Sequence, residues 1–189
     1  MTLKAPRAGE RILLFPPAFE RTFYEQSFVY EDGRQEVYRL FGYEKKPSVL
    51  IFPITQKRGI VAVRQFRHGS NDFIIEFPGG GSPTETKTIE QVGAEELLEE
   101  TGYQAEEIIN PQMQSWIDPS SANGRISFLI GCGCVKVADP HLDKNEIMET
   151  LVIPVKNWYE MIWRGEILDH KTLALSLFGI PFLEKGLIF

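Results

Sequence analysis

Glu96, Glu99 and Glu100 stand at i, i+3 and i+4 within the run Glu95-Glu96-Leu97-Leu98-Glu99-Glu100. On a helix that spacing projects all three carboxylates from one face, and Glu95 with Glu99 makes another i, i+4 pair. Like charges so placed oppose the helix by roughly 0.2–0.5 kcal/mol per pair. A cation that takes three carboxylates removes the repulsion, and hard Mg²⁺ prefers such oxygen ligands. A Glu-rich helix read by itself is more simply a solvated face. Its context argues for more: Pro78-Gly79-Gly80-Gly81-Ser82-Pro83 lies upstream, after the hydrophobic run Phe73–Phe77. Glycines expose carbonyls and N–H groups that can approach a metal or a phosphate. Strand, glycine bend and triple-carboxylate helix together describe a metal–phosphate arrangement.

The elements that must hold this arrangement are legible in pattern. Thr88-Ile89-Glu90-Gln91 fits a capping box, acidic residues at the start suit the macrodipole, and Gly102 is a natural stop, so a helix is predicted over Thr88–Thr101. Strands are predicted at Thr22–Tyr30 and Glu36–Phe41, around an Asp32-Gly33 turn, and at Ser48–Ile54, Ile60–Phe66 and Phe73–Phe77. Beyond the helix, Gln112–Ile117, Ile126–Val137 and Thr150–Pro154 read as strands. Lys156–Trp163 reads as a helix, and a last apolar helix runs from Asp169-His170-Lys171-Thr172 through Phe178. Strands outnumber helices without strict β–α alternation, which points to an α/β fold of mixed type, a mixed sheet flanked by helices.

Length and composition set the outer bounds. The 189 residues suit one domain with at most a short appendage, and 43% hydrophobic with 24% charged residues is globular composition. The net charge of −6 disfavours a nucleic-acid partner. Between Glu85 and Glu107, eight glutamates face one lysine, a local charge of −7, so the rest of the chain sums to +1. Cys132 and Cys134 are too close to staple a loop and read as buried thiols. No long apolar run or secretory-type leader is present, so no membrane partner and a cytoplasmic location are the expectations. His68, His141 and His170 share no metal spacing, and Trp116, Trp158 and Trp163 read as core.

Gly81 and Glu95-Glu96-Leu97-Leu98-Glu99-Glu100-Thr101-Gly102-Tyr103 resemble the Nudix box, G-x5-E-x7-R-E-U-x-E-E-x-G-U. Its C-terminal half is intact. In the N-terminal half, Lys87 stands where the family has Glu, and Glu95 where it has Arg. Two accounts remain open: a reversed ion pair between Lys87 and Glu95, or a shifted loop in which Glu85 fills the place of the absent box glutamate. The flanks Gln65-Phe66-Arg67, Glu76-Phe77-Pro78-Gly79-Gly80 and Gly165-Glu-Ile-Leu-Asp169-His-Lys-Thr172-Leu-Ala are similar to the ADP-ribose pyrophosphatase branch.

That resemblance implies a Nudix-type α-β-α sandwich over residues 47–189, with residues 1–46 as an N-terminal antiparallel hairpin region of the kind that branch exchanges in a homodimer. It implies that Glu96, Glu99 and Glu100, with the Gly80 carbonyl, hold Mg²⁺ or Mn²⁺ as its substitute, and that Arg67 holds substrate phosphate. Glu76 either orients an arginine or is a surface side chain. Glu146, with Glu149 second, takes the place of the catalytic glutamate of a loop after the box. Phe28 and Tyr30 are the candidates to stack on adenine. The expected activity is Mg²⁺-dependent hydrolysis of the pyrophosphate bond in ADP-ribose or another nucleotide sugar, giving a nucleoside monophosphate and a sugar phosphate. The alternative is a nucleotide-binding sensor or regulator that has lost turnover.

Overall fold

The computed structural model describes residues 4–14, 21–43, 48–82 and 86–184. The chain divides into two compact units, residues 1–45 with 116–125, and residues 46–115 with 126–189.

The first unit carries a three-stranded antiparallel sheet, β1 (Arg7–Leu13), β2 (Arg21–Val29) and β3 (Gln35–Tyr43), in the order β1-β2-β3. β2 and β3 form the expected hairpin. Its turn uses Gly33 at φ 81, where a side chain would be strained, and the Asp32 carboxylate accepts from the Arg34 N–H at 3.0 Å. The expected two-stranded hairpin is corrected to three strands. β1 is exposed along its whole length and so lacks the alternation that marks a half-buried strand; pairing with β2 creates it. The segment Trp116–Arg125 belongs to this unit: Phe41 N–H donates to the Ser121 carbonyl, and Tyr43 N–H to the Asn123 side chain.

The second unit is built on a seven-stranded mixed sheet. Its strands are β4 (Val49–Thr55), β5 (Gly59–Arg67), β6 (Asp72–Glu76), β7 (Tyr103–Gln104), β8 (Glu107–Trp116), β9 (Arg125–Lys136) and β10 (Met148–Pro154). The main path runs β10-β5-β4-β9-β7, with β6 on β5 and β8 on β9. β4 and β9 are parallel; β5 pairs antiparallel with β4, β6 and β10. Helix α1 (Ile89–Thr101) covers one face, where Val49, Ile51, Val61, Val92, Leu97 and Leu129 form a buried cluster. On the other face lie α2 (Val155–Trp163) and α3 (His170–Glu184). There Phe77 stacks on Trp158 at 5.0 Å and packs edge-on against Phe52, and Gly179 lets α3 approach the Phe52 ring. Each buried side chain of this size contributes about 1.5–3 kcal/mol.

Two sequence expectations fell short at breakers. β8 begins at Glu107, not Gln112, because Asn110-Pro111 sits where the Asn110 side chain accepts from the Gln112 N–H at 2.8 Å. α3 runs on past Phe178 through Gly179 and Pro181, held by packing that local propensity does not register. The cysteines are buried free thiols, with burial pushing Cys132 up to about 11 and Cys134 up to about 12.

Candidate active site

α1 is placed by its ends. Thr88 accepts from the Gln91 N–H, the Gln91 side chain accepts from the Thr88 N–H, and Gly102 closes the helix at φ 73 with its N–H on the Leu98 carbonyl. Val92, Gly93 and Leu97 face the sheet; a Cβ at Gly93 would lie 2.4 Å from Leu129, so the helix rides close on β9. With that face fixed, Glu100 is buried, Glu96 is half-buried, and Glu95 and Glu99 are exposed.

The glycine bend packs under these carboxylates. Val49 N–H donates to the Gly80 carbonyl and Ile51 N–H to the Pro78 carbonyl, which ties the bend to β4. Gly79 N–H donates to Glu100 Oε2 at 3.0 Å. A Cβ at Gly80 would fall 2.5–2.7 Å from the Glu96 carboxyl atoms, so any larger residue would push that carboxylate aside. The bend is held from the far side as well. Phe77 N–H donates to the Thr172 hydroxyl, and the Asp169 carboxylate accepts from Thr172 N–H at the start of α3. The C-terminal motif thus braces the residue that enters the glycine bend.

Burial pushes Glu100 up to about 8, helped by the charges of Glu96 and Glu146 and opposed by the Gly79 N–H and Arg67. Burial likewise raises Glu96 to about 7, with Glu99, Glu146 and Glu95 adding repulsion and Lys87 opposing it. Among the described residues, no three His, Cys, Asp or Glu side chains are gathered closely enough to hold an ion as they stand. The donor chemistry nevertheless fits a hard divalent cation: buried carboxylates that repel one another lack positive charge. Gly80, Glu96 and Glu100 are brought together. Glu99 stands on the exposed side of the group, its charge felt at Glu96.

Arg67 and Glu76 meet across β5 and β6. The Arg67 Nε donates to Glu76 Oε2 at 2.9 Å and Nη2 reaches the same oxygen. Burial works against the Arg67 charge, but Glu76, Glu100 and Asp169 outweigh it, so its pKa is raised. Glu76 is buried rather than a surface side chain, and it orients the arginine.

The loop glutamates separate cleanly. Glu149 lies opposite Arg64 in the β5–β10 register and pairs with it at 3.0 Å in the open. Glu146 instead contributes negative charge at both Glu96 and Glu100, while its Oε2 accepts from the Asp143 N–H at 2.9 Å. Lys87 and Glu95 form an ion pair at 2.5 Å, as in the reversed-pair account, one of the two that the sequence leaves open. Glu85, the rival, lies outside the described residues.

In the first unit, Phe28 and Tyr30 line a cavity of about 390 Å³ with Arg11, Tyr24, Tyr38 and Trp116. Phe28 packs edge-on against Tyr38, and the Tyr30 and Tyr38 hydroxyls are 3.0 Å apart.

A fold comparison aligns 98% of this chain with 97% of the chain in a crystal structure of an ADP compounds hydrolase, at TM-score 0.82 and 16% sequence identity. The fold is that of the Nudix hydrolases. No protein-family model matches the chain, and no curated protein matches it at a significant level. The mixed sheet between helical layers expected from the sequence is present.

Sequence reasoning left Gln65 without a role, although it sits in the Gln65-Phe66-Arg67 segment. The available signal was a polar residue continuing the buried series Val61, Val63. It also quoted Asp169 and Thr172 only as part of a motif, without their bracing contact.

Proposed function

We propose that this protein hydrolyses the diphosphate bridge of a nucleoside diphosphate linked to another group, with ADP-ribose or another nucleotide sugar as the substrate class and Mg²⁺ as the cofactor. The observation that carries this reading is the pair Glu96 and Glu100, both raised by burial and by the charge of neighbouring carboxylates beside a glycine bend. The likeness in fold to an ADP compounds hydrolase supports it. A buried anionic site has no reason to admit an anionic diphosphate unless cations lie between them.

Magnesium bound there supplies the positive charge that offsets the diphosphate and makes water a better nucleophile. Glu96, Glu99, Glu100 and the Gly80 carbonyl are the groups that would hold it. Arg67, aimed by Glu76, offsets phosphate charge. Glu146 takes a proton from the attacking water; the water oxygen bonds to one phosphorus, and the bridging P–O bond breaks with its electron pair on the departing phosphate. For ADP-ribose the products are AMP and ribose 5-phosphate. Phe28 and Tyr30 lie in an aromatic cavity of the first unit that suits a planar ring such as a base.

Purified protein given ADP-ribose and Mg²⁺ should release AMP, and excess chelator should abolish release. Binding without turnover would instead favour a sensor or regulator; neither binding nor turnover across a panel of nucleotide sugars would end the reading. The same preparation should sediment as a homodimer, with the first unit, whose Ile12, Leu13, Val37 and Phe41 are exposed, as the contact. A monomer at micromolar concentration would remove that assignment.

A further inference from the structure

β5 is regular from end to end. Its register with β10 runs without a break from Gly59 opposite Pro154 to Gln65 opposite Met148, and with β6 from Val63 opposite Glu76 to Arg67 opposite Asp72. Alternation therefore carries one face through Val61, Val63, Gln65 and Arg67. Val61 identifies that face, because it packs with Val92 and Leu97 of α1. Thr150, opposite Val63, confirms it, with its hydroxyl 3.5 Å from the Glu100 carbonyl. Gln65 consequently sits one pleat beyond the row that touches Glu100, next to Arg67 and across from the strand that continues the Glu146 loop. The loop is docked there: Phe66 N–H donates to the Ile147 carbonyl at 2.9 Å.

Gln65 is 6% exposed, and its Oε1 is buried without a hydrogen-bond partner among the described residues. Buried polar atoms are rarely left so, because water's hydrogen bonds have been given up for nothing. Donors on the same face have other partners: Arg67 Nε and Nη2 donate to Glu76, and the Thr150 hydroxyl to the Glu100 carbonyl. A purely structural residue continuing Val61 and Val63 would be apolar. The carboxamide has a use that the folded chain itself does not satisfy.

An amide oxygen needs a donor. Phosphate oxygens of an ionised diphosphate carry no proton, and the enclosed position of Oε1 favours the smallest O–H donor, water. We propose that Gln65 Oε1 accepts a hydrogen bond from the water that attacks phosphorus, fixing its lone pair while Glu146 removes the other proton. The new bond is water oxygen to phosphorus, the broken bond is the bridging P–O, and the proton goes to the Glu146 carboxylate. This inference rests on the hydrolase reading above.

The test is kinetic and thermal together. Gln65→Met should lower kcat about 10- to 100-fold, by a similar factor on ADP-ribose and ADP-glucose. KM should stay within about twofold, since substrate binding is untouched, and the melting temperature should not fall. Gln65→Asn, which keeps the amide but withdraws it by one methylene, should lose kcat in the same direction. Unchanged kcat in both variants, with normal wild-type turnover, overturns this inference alone. So does a loss in KM confined to one sugar, which would assign the amide to a sugar hydroxyl, or a melting-temperature drop that accounts for the lost activity. Wild-type protein inert toward every nucleotide sugar would sink the hydrolase reading and take this inference with it.

Discussion

Two segments bring carboxylates to the same place by opposite means. α1 is capped at both ends and pressed onto the sheet, so Glu96 and Glu100 are delivered by packing and left electrostatically unsatisfied. The Glu146 loop closes on itself, its carboxylate accepting from Asp143 N–H. One segment crowds carboxylates that raise one another's pKa; the other holds one carboxylate oxygen on its own backbone and leaves the second oxygen outside that contact. The contrast suits a division of labour in which the helix holds a cation and the loop handles a proton.

The helix half breaks most sharply at Glu100. Glu100→Gln should cut turnover by about a hundredfold or more, since even groups supporting a metal ligand commonly cost 10- to 100-fold. In chelator the same variant should melt higher than wild type. The sign follows from the shift: the native carboxyl, raised to about 8, binds its proton more tightly than the unfolded one at its ordinary 4.5. Stability in chelator is therefore greatest below the unfolded value and falls as pH rises from about 4.5 through about 8. Gln carries no such charge, so the variant's pH dependence should be flatter. A metal-free wild type equally stable at pH 5 and pH 9, as followed by thermal melting, would contradict the burial argument.

The loop half is sharpened by comparing its two glutamates. Glu146→Gln should lower kcat by about 10²-fold or more, as expected for loss of a general base. Glu149→Gln removes an exposed ion pair with Arg64, worth less than about 1 kcal/mol, and should leave turnover near wild type. The reverse ranking in steady-state kinetics would move the base to Glu149.

The smallest effect concerns how the bend joins the helix. Lys87→Glu should destabilise by about 0.5–1 kcal/mol in chemical denaturation, and adding Glu95→Arg should restore the loss, because the partly exposed pair depends on opposite signs rather than on which residue carries which. Additive losses in the double variant would show that the ion pair has no energetic role.

The helix, its caps and the acidic face were legible because they are local: capping hydrogen bonds span three or four residues, and i, i+3, i+4 spacing is geometry that the chain carries everywhere. The glycine bend was legible for the same reason. Strand β1 was not, since Arg7–Leu13 buries nothing and is strand only because β2 offers it hydrogen bonds. The sequence left Glu76 poised between an oriented and a surface role; the β5–β6 register decided it by bringing Arg67 within reach. It placed Glu146 first and Glu149 second by alignment alone, and strand pairing puts Glu149 opposite Arg64.

What the amino-acid order determined alone is the chemistry of the site: which carboxylates, at what spacing, next to which glycines. What tertiary structure decided is the state of those groups. How far burial raises a glutamate, which carboxylate holds Arg67, and that the Gln65 Oε1 is buried without a partner among the described residues depend on neighbours far along the chain. Burial and register are properties of pairs of segments, and no local window contains both members of a pair.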